Sequence, residues 1–200
     1  MGERALHVQH IERFELESGE ILRGVKQAYR LDGELNDRRD NLILVFHSLS
    51  QTPDAVGGWW ADVAGPGLAL DTNHWAVLCP NLLGSCFGTT GPTDVDPFPS
   101  ITIRDQVRLI RLLVDELEVS RIALATGGSL GGMLALEWAA SYPDLTERIV
   151  SFAAPAALSA FAIGWNHIQR LAINMNGPDG LRIARMIGMM LYRTPDEFER

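Results

Sequence analysis

Residues 124–138 read LATGGSLGGMLALEW: one serine, Ser129, stands among four glycines, with an apolar run before it and a helical-looking run after it. Gly127 to Gly131 fits the pattern G-x-S-x-G, which needs a strand entering and a helix leaving. Both flanks qualify. Residues 121–126 (RIALAT) have the length and composition of a buried strand, and residues 130–141 read as a helix stopped at Tyr142-Pro143. So sharp a turn strains the backbone at the serine and brings neighbouring chain close, which calls for glycine at 127 and 131. The serine then stands at a helix N-terminus, where free N–H groups and the helix dipole favour an oxyanion. A phosphate-binding loop fits less well, because no lysine follows the glycines and no G-x-G-x-x-G stands in phase with an acidic residue on a second strand. A plain Gly-rich turn is the third alternative.

Outward from the elbow, the same rhythm repeats. Residues 41–46 (NLILVF), 75–79 (WAVLC) and 148–153 (RIVSFA) are short apolar runs of the kind buried on both faces of a sheet. Residues 21–33 alternate loosely and end in turn residues, so they read as a strand or hairpin. Residues 102–119 place apolar side chains at 103, 107, 109, 110, 113, 114 and 117, a helical period. Strands alternating with helices predict an α/β fold with a mostly parallel sheet flanked by helices. Residues 158–200 leave that rhythm. They carry helical signals with an Asn/Gly/Pro break at 174–180, so the expected organisation is a core over 1–157 and the start of a helical lid over 158–200.

Composition excludes several classes. A net charge of −8 and no basic run argue against nucleic acid and acidic membranes as partners. No stretch approaches the ~20 apolar residues of a membrane span, and the charged first residues hold no apolar signal segment, so a cytoplasmic location is expected. Cys79 and Cys86 make no disulfide framework, and the five histidines and two cysteines show no metal spacing; no cofactor is expected.

The second oxyanion donor should come from the loop after an earlier strand. His47-Ser48-Leu49-Ser50 follows NLILVF and occupies that place. The candidate donors are the backbone N–H groups of Leu49 and Leu130, and His47 reads as a structural loop histidine.

Several segments together resemble the homoserine O-acetyltransferases, acyltransferases with the α/β-hydrolase fold. HSLSQ (47–51) is similar to that family's His-Ala-Leu-Thr loop. GGWWADVAGPGLALDT (57–72), NLLGSCFGTTGP (81–92) and FPSITIRDQV (98–107) look like three further family segments. GGSLGGMLALEWAASYPD (127–144) resembles the nucleophile segment, and GLRIARMIGMMLYRTPDEFER (180–200) the start of the helical lid. The resemblance implies that Ser129 takes an acetyl group from acetyl-CoA as co-substrate and passes it to the hydroxyl of L-homoserine, a step of methionine biosynthesis, by ping-pong covalent catalysis. It implies Arg185 and Tyr192 as holders of the amino-acid carboxylate, Ser50 near the substrate, and a homodimer through the lid. Independently, a guanidinium suits a carboxylate, and seven residues put Arg185 and Tyr192 on one helix face. Ser85 replaces a glycine, Leu130 a methionine, and residues 169–180 are shorter than in many members. That leaves a succinyl donor or a serine acceptor open, and a serine esterase of the same fold is the alternative.

A triad on this fold runs Ser, then Asp or Glu, then His. Only His167 follows Ser129, inside the expected lid, in a segment that the resemblance marks as non-catalytic. Asp144, Asp179 and Asp196 read as turn or helix-start residues. The expectation is an N-terminal part of a longer enzyme, without its triad Asp and His and without its last strands, and inactive by itself.

Overall fold

The computed structural model describes residues 5–200, the side chain of Asn176 excepted. The chain divides into two compact units, the first ending at Pro155 and the second running Ala156–Arg200.

The first unit is a six-stranded sheet with two helices. Its strands are β1 (His7–Glu15), β2 (Ile21–Asp32), β3 (Leu42–Phe46), β4 (Ala76–Pro80), β5 (Ile122–Gly128) and β6 (Ile149–Phe152), in the order β1-β2-β4-β3-β5-β6. The four strands β4, β3, β5 and β6 pair parallel. The pairs β1·β2 and β2·β4 are antiparallel, so the sheet is mixed, with the parallel part carrying the elbow. The helices are α1 (Ile103–Glu116) and α2 (Leu130–Ser141).

The apolar runs are strands for a physical reason. Every residue of β3 and β4 is buried, because side chains leave both faces into packed layers. Leu42, Leu44, Phe46, Ala76 and Leu78 face α1 and α2 and meet Val107, Ile110, Leu113, Leu134 and Trp138. Ile43, Val45, Val77 and Cys79 face the other way, against Ala55, Trp60, Leu70 and Trp75 from the connection between β3 and β4. Trp138 is fully buried on α2; its Nε1–H donates to Thr146 Oγ1 at 2.9 Å, so its one polar atom is satisfied. Helix α1 starts at a capping box: Asp105 N–H donates to Thr102 Oγ1, and Thr102 N–H to Asp105 Oδ2, both at 3.0 Å. Asp105 is buried and also accepts from Glu17 N–H at 2.8 Å, which ties the helix start to the chain between β1 and β2.

Two places differ from the sequence reading or refine it. Strand β1 lies in a charged stretch where no element was foreseen. Only Gln9 and Phe14 of its nine residues are buried, so it shows no usable alternation and is recruited by pairing with β2 from His7↔Tyr29 to Glu15↔Ile21. β6, expected from its apolar run to be buried on both faces, is the outer strand of the described sheet, with Ile149, Val150 and Phe152 exposed.

The second unit holds α3 (Ala160–Leu191) and α4 (Pro195–Phe198). The expected Asn/Gly/Pro break is present: at Gly177, whose φ is +51° and ψ −122°, the helical path is interrupted by a kink, and Pro178 opens the second helical segment of α3. A Cβ on Gly180 would sit 1.9 Å from the Ala172 carbonyl oxygen, so the kink depends on glycine there too. No described helix is long and apolar enough to cross a membrane.

Candidate active site

Ser129 sits between the last residue of β5 and the first of α2, exposed beside the buried Gly127 and Gly128. Its φ of +56° with ψ of −124° is a conformation that non-glycine residues rarely hold, at a cost of about 1–3 kcal/mol. Surrounding bonds enforce it. Ser129 N–H donates to the Phe152 carbonyl of β6 at 3.1 Å, and its own carbonyl accepts from Gly132 and Met133 at 3.0 and 3.1 Å. The glycine expectation holds in atomic detail. A Cβ on Gly127 would lie 2.3 Å from the Gly131 carbonyl oxygen, and one on Gly131 would lie 2.0 Å from that of Phe46. The elbow is therefore wedged between β3 and α2 with no room for a methyl group.

Leu130 is the first residue of α2, so its N–H has no carbonyl one turn back to bond. Leu49 is the second residue of a turn closed by Gln51 N–H donating to the Ser48 carbonyl at 3.0 Å. The turn leaves that N–H unused, and the Leu49 side chain is exposed. Strands β3 and β5 are parallel neighbours with Phe46 opposite Gly127, so both loops leave the same sheet edge. The sheet thus brings Ser129, Leu130, Leu49 and the exposed Ser50 to one rim. Arg185 and Tyr192 belong to the second unit, both exposed, on the last turns of α3 and at its C-cap.

Two neighbours of the elbow were not singled out from the sequence. Phe152 packs so tightly that a Cβ on Gly128 would be 2.4 Å from its ring, and its ring meets Trp60 at 5.5 Å and Trp59 at 6.5 Å. The GGWW segment thus builds an aromatic wall beside the serine, a role its composition alone did not reveal. The second is Asn81, fully buried at the end of β4 beside His47. Burial pushes the His47 imidazole below its usual pKa, while its bonds to Ser48 and Asn81 pull the other way. Its two ring nitrogens lie within hydrogen-bond distance of two oxygens, Ser48 O and Asn81 Oδ1, in keeping with a structural place in the loop. Burial also raises the Cys79 thiol far above its usual pKa, so it is no nucleophile.

Among the described residues, no histidine or carboxylate bonds to the Ser129 hydroxyl, and no group of three or more His, Cys, Asp or Glu could hold a metal.

A sequence model described as alpha/beta hydrolase fold matches residues 41–173. A homoserine O-acetyltransferase of Deferribacter desulfuricans is 39% identical over 218 residues, covering 94% of this chain and 58% of that protein. The chain therefore spans little more than half the length of this curated relative. The crystal structure of a homoserine O-acetyltransferase from Staphylococcus aureus matches with a TM-score of 0.89 at 28% identity, covering 98% of this chain and 61% of that one. The crystal structure of esterase E22 matches with a TM-score of 0.91 at 26% identity, covering 98% and 64%.

Proposed function

The chain belongs to the alpha/beta hydrolase fold family, and from that premise we propose that Ser129 is the nucleophile of a homoserine O-acetyltransferase. In the first step the Ser129 oxygen adds to the thioester carbonyl of acetyl-CoA, the carbon–sulfur bond breaks, and the CoA thiol leaves with a proton. In the second, the hydroxyl oxygen of L-homoserine attacks the acyl-serine and the Ser129 hydroxyl is regenerated. The oxyanion of each tetrahedral intermediate lies against the N–H groups of Leu49 and Leu130. The sequence resemblance assigns Arg185 and Tyr192 to the amino-acid carboxylate and Ser50 to the acceptor side. No described residue is placed to take the Ser129 proton, and the reading assigns that role to none of them.

The single observation behind this reading is the strained Ser129 backbone, held by Phe152, Gly131 and Phe46 at the edge it shares with the Leu49 turn. The similarity to homoserine O-acetyltransferases supplies the reaction class. The likeness to esterase E22 favours a second reading, in which water deacylates the serine.

The test is intact-mass analysis of the chain after incubation with acetyl-CoA or p-nitrophenyl acetate. An acetyl adduct on Ser129, absent from Ser129→Ala and discharged faster by L-homoserine than by water, supports the transferase. Discharge at the same rate with and without homoserine supports the esterase. An adduct that persists in Ser129→Ala, or that maps to another residue, overturns both.

A further inference from the structure

We propose that His47 is a positioning residue: by holding the Ser48 carbonyl, it sets the direction of the Leu49 N–H that faces the oxyanion. The proposal rests on the acyl-serine reading above and gives a role to a residue that reading leaves idle.

His47 is 2% exposed, with an oxygen close to each ring nitrogen. Nδ1 lies 2.9 Å from the Ser48 carbonyl oxygen, and Nε2 lies 3.1 Å from Asn81 Oδ1. Both oxygens can only accept, so the neutral ring donates to one of them, and the shorter contact puts its proton on Nδ1, toward Ser48. The Ser48 carbonyl and the Leu49 N–H belong to one planar peptide unit and point in opposite directions. Whatever holds the carbonyl therefore aims the N–H. Two donors hold it: His47 Nδ1–H from one side and Gln51 N–H, at 3.0 Å, from the other.

Asn81 bounds the ring on its other side, 3.1 Å from Nε2. It is fully buried, its backbone N–H donates to the Ala28 carbonyl at 2.8 Å, and its side chain binds Thr89 Oγ1 and the Ser85 hydroxyl, each at 3.1 Å, and the Cys86 carbonyl. The loop after β4 thereby packs against the loop after β3 through a buried histidine. A loop donor exposed to water gains fixed geometry from such a buried network.

The experiment compares His47→Asn with His47→Gln in the whole chain. An asparagine amide falls where Nδ1–H stood and can donate to Ser48. A glutamine amide falls where Nε2 stood and reaches only Asn81. We measure Ser129 acylation by p-nitrophenyl acetate as p-nitrophenol release with mass confirmation, alongside the imidazole 15N spectrum of the unmodified chain. His47→Gln is expected to slow acylation about tenfold or more with unchanged KM, and His47→Asn to recover it to within about threefold, as befits partial loss of one oxyanion donor. The 15N spectrum is expected to show the proton on Nδ1. Equal losses in both variants, or no loss in either, overturn the proposal, as does a ring protonated on Nε2 alone. If acylation persists in Ser129→Ala, the acyl-serine reading falls, while the 15N spectrum still reports the Ser48 bond by itself.

Discussion

The edge shared by β3 and β5 and the helix α3 are opposite ways of using apolar residues. At the edge, every side chain of β3 is buried, and glycines let backbones touch where any Cβ would collide. Along α3, Phe161, Met175, Met186 and Met190 are each more than 60% exposed, and among its described residues only small ones such as Ala184 and Gly188 are buried. The first region shows how a strained serine survives: strain of a few kcal/mol persists only where neighbours over-determine it. The second has no such enclosure, so its geometry follows from the helix alone, and its kink is set by local chemistry at Gly177 and Pro178.

The sharpest way to break this contrast is to empty the layer beneath the elbow. Trp138 is fully buried, faces Phe46 at 6.0 Å and bonds Thr146. Trp138→Ala should lower stability by about 3–5 kcal/mol in urea unfolding followed by circular dichroism. A loss under about 1 kcal/mol would mean the layer is not packed as described.

Next comes overfilling. Gly131→Ala drives a methyl into the Phe46 carbonyl, backbone that cannot swing aside, and should cost about 1–3 kcal/mol. Gly128→Ala meets the edge of the Phe152 ring, a side chain on the outer strand with room to turn. It should cost less. The reverse order, read from the same unfolding curves, would place the tight contact on the β6 side.

Smaller again is the cap of α1. Asp105→Ala removes the carboxylate that bonds Thr102 N–H and Glu17 N–H, and should cost about 1–2 kcal/mol. Asp105→Asn keeps an acceptor and should recover most of it. Equal losses would assign the effect to the charge facing Arg108, 3.6 Å away, and not to the cap.

The same contrast explains what the sequence disclosed. β3, β4 and β5 were legible because burial on both faces writes a continuous apolar run, and the elbow because close backbone contact leaves glycine as the only fit. The kink in α3 was legible for the same local reason. Strand β1 was not, since it owes its existence to pairing with β2 and displays charge to solvent. At the site, Ser129, Leu130 and Leu49 could be placed together from strand order and motif. The link from His47 to Asn81 could not, because the partners are 34 residues apart and meet only when β3 and β4 pair. The aromatic wall of Trp59, Trp60 and Phe152 joins residues from either side of β5, which no local pattern records.

The smallest expected effect lies on α3, and it probes the other half of the contrast. Met186 and Met190 are each 62% exposed. If water is their neighbour in solution, Met186→Gln and Met190→Gln should each shift stability by less than about 0.5 kcal/mol. A homodimer through this helix, as the sequence resemblance implies, makes a different prediction. A covered methionine loses apolar contact when it becomes polar, so the substitution should cost about 1 kcal/mol or more, and the cost should grow with protein concentration. Unfolding curves at two concentrations a hundredfold apart decide between the two. A small, concentration-independent shift leaves α3 as an exposed helix, unlike the enclosed edge that holds Ser129. A large, concentration-dependent one gives it a partner, and the two regions then differ only in what buries them.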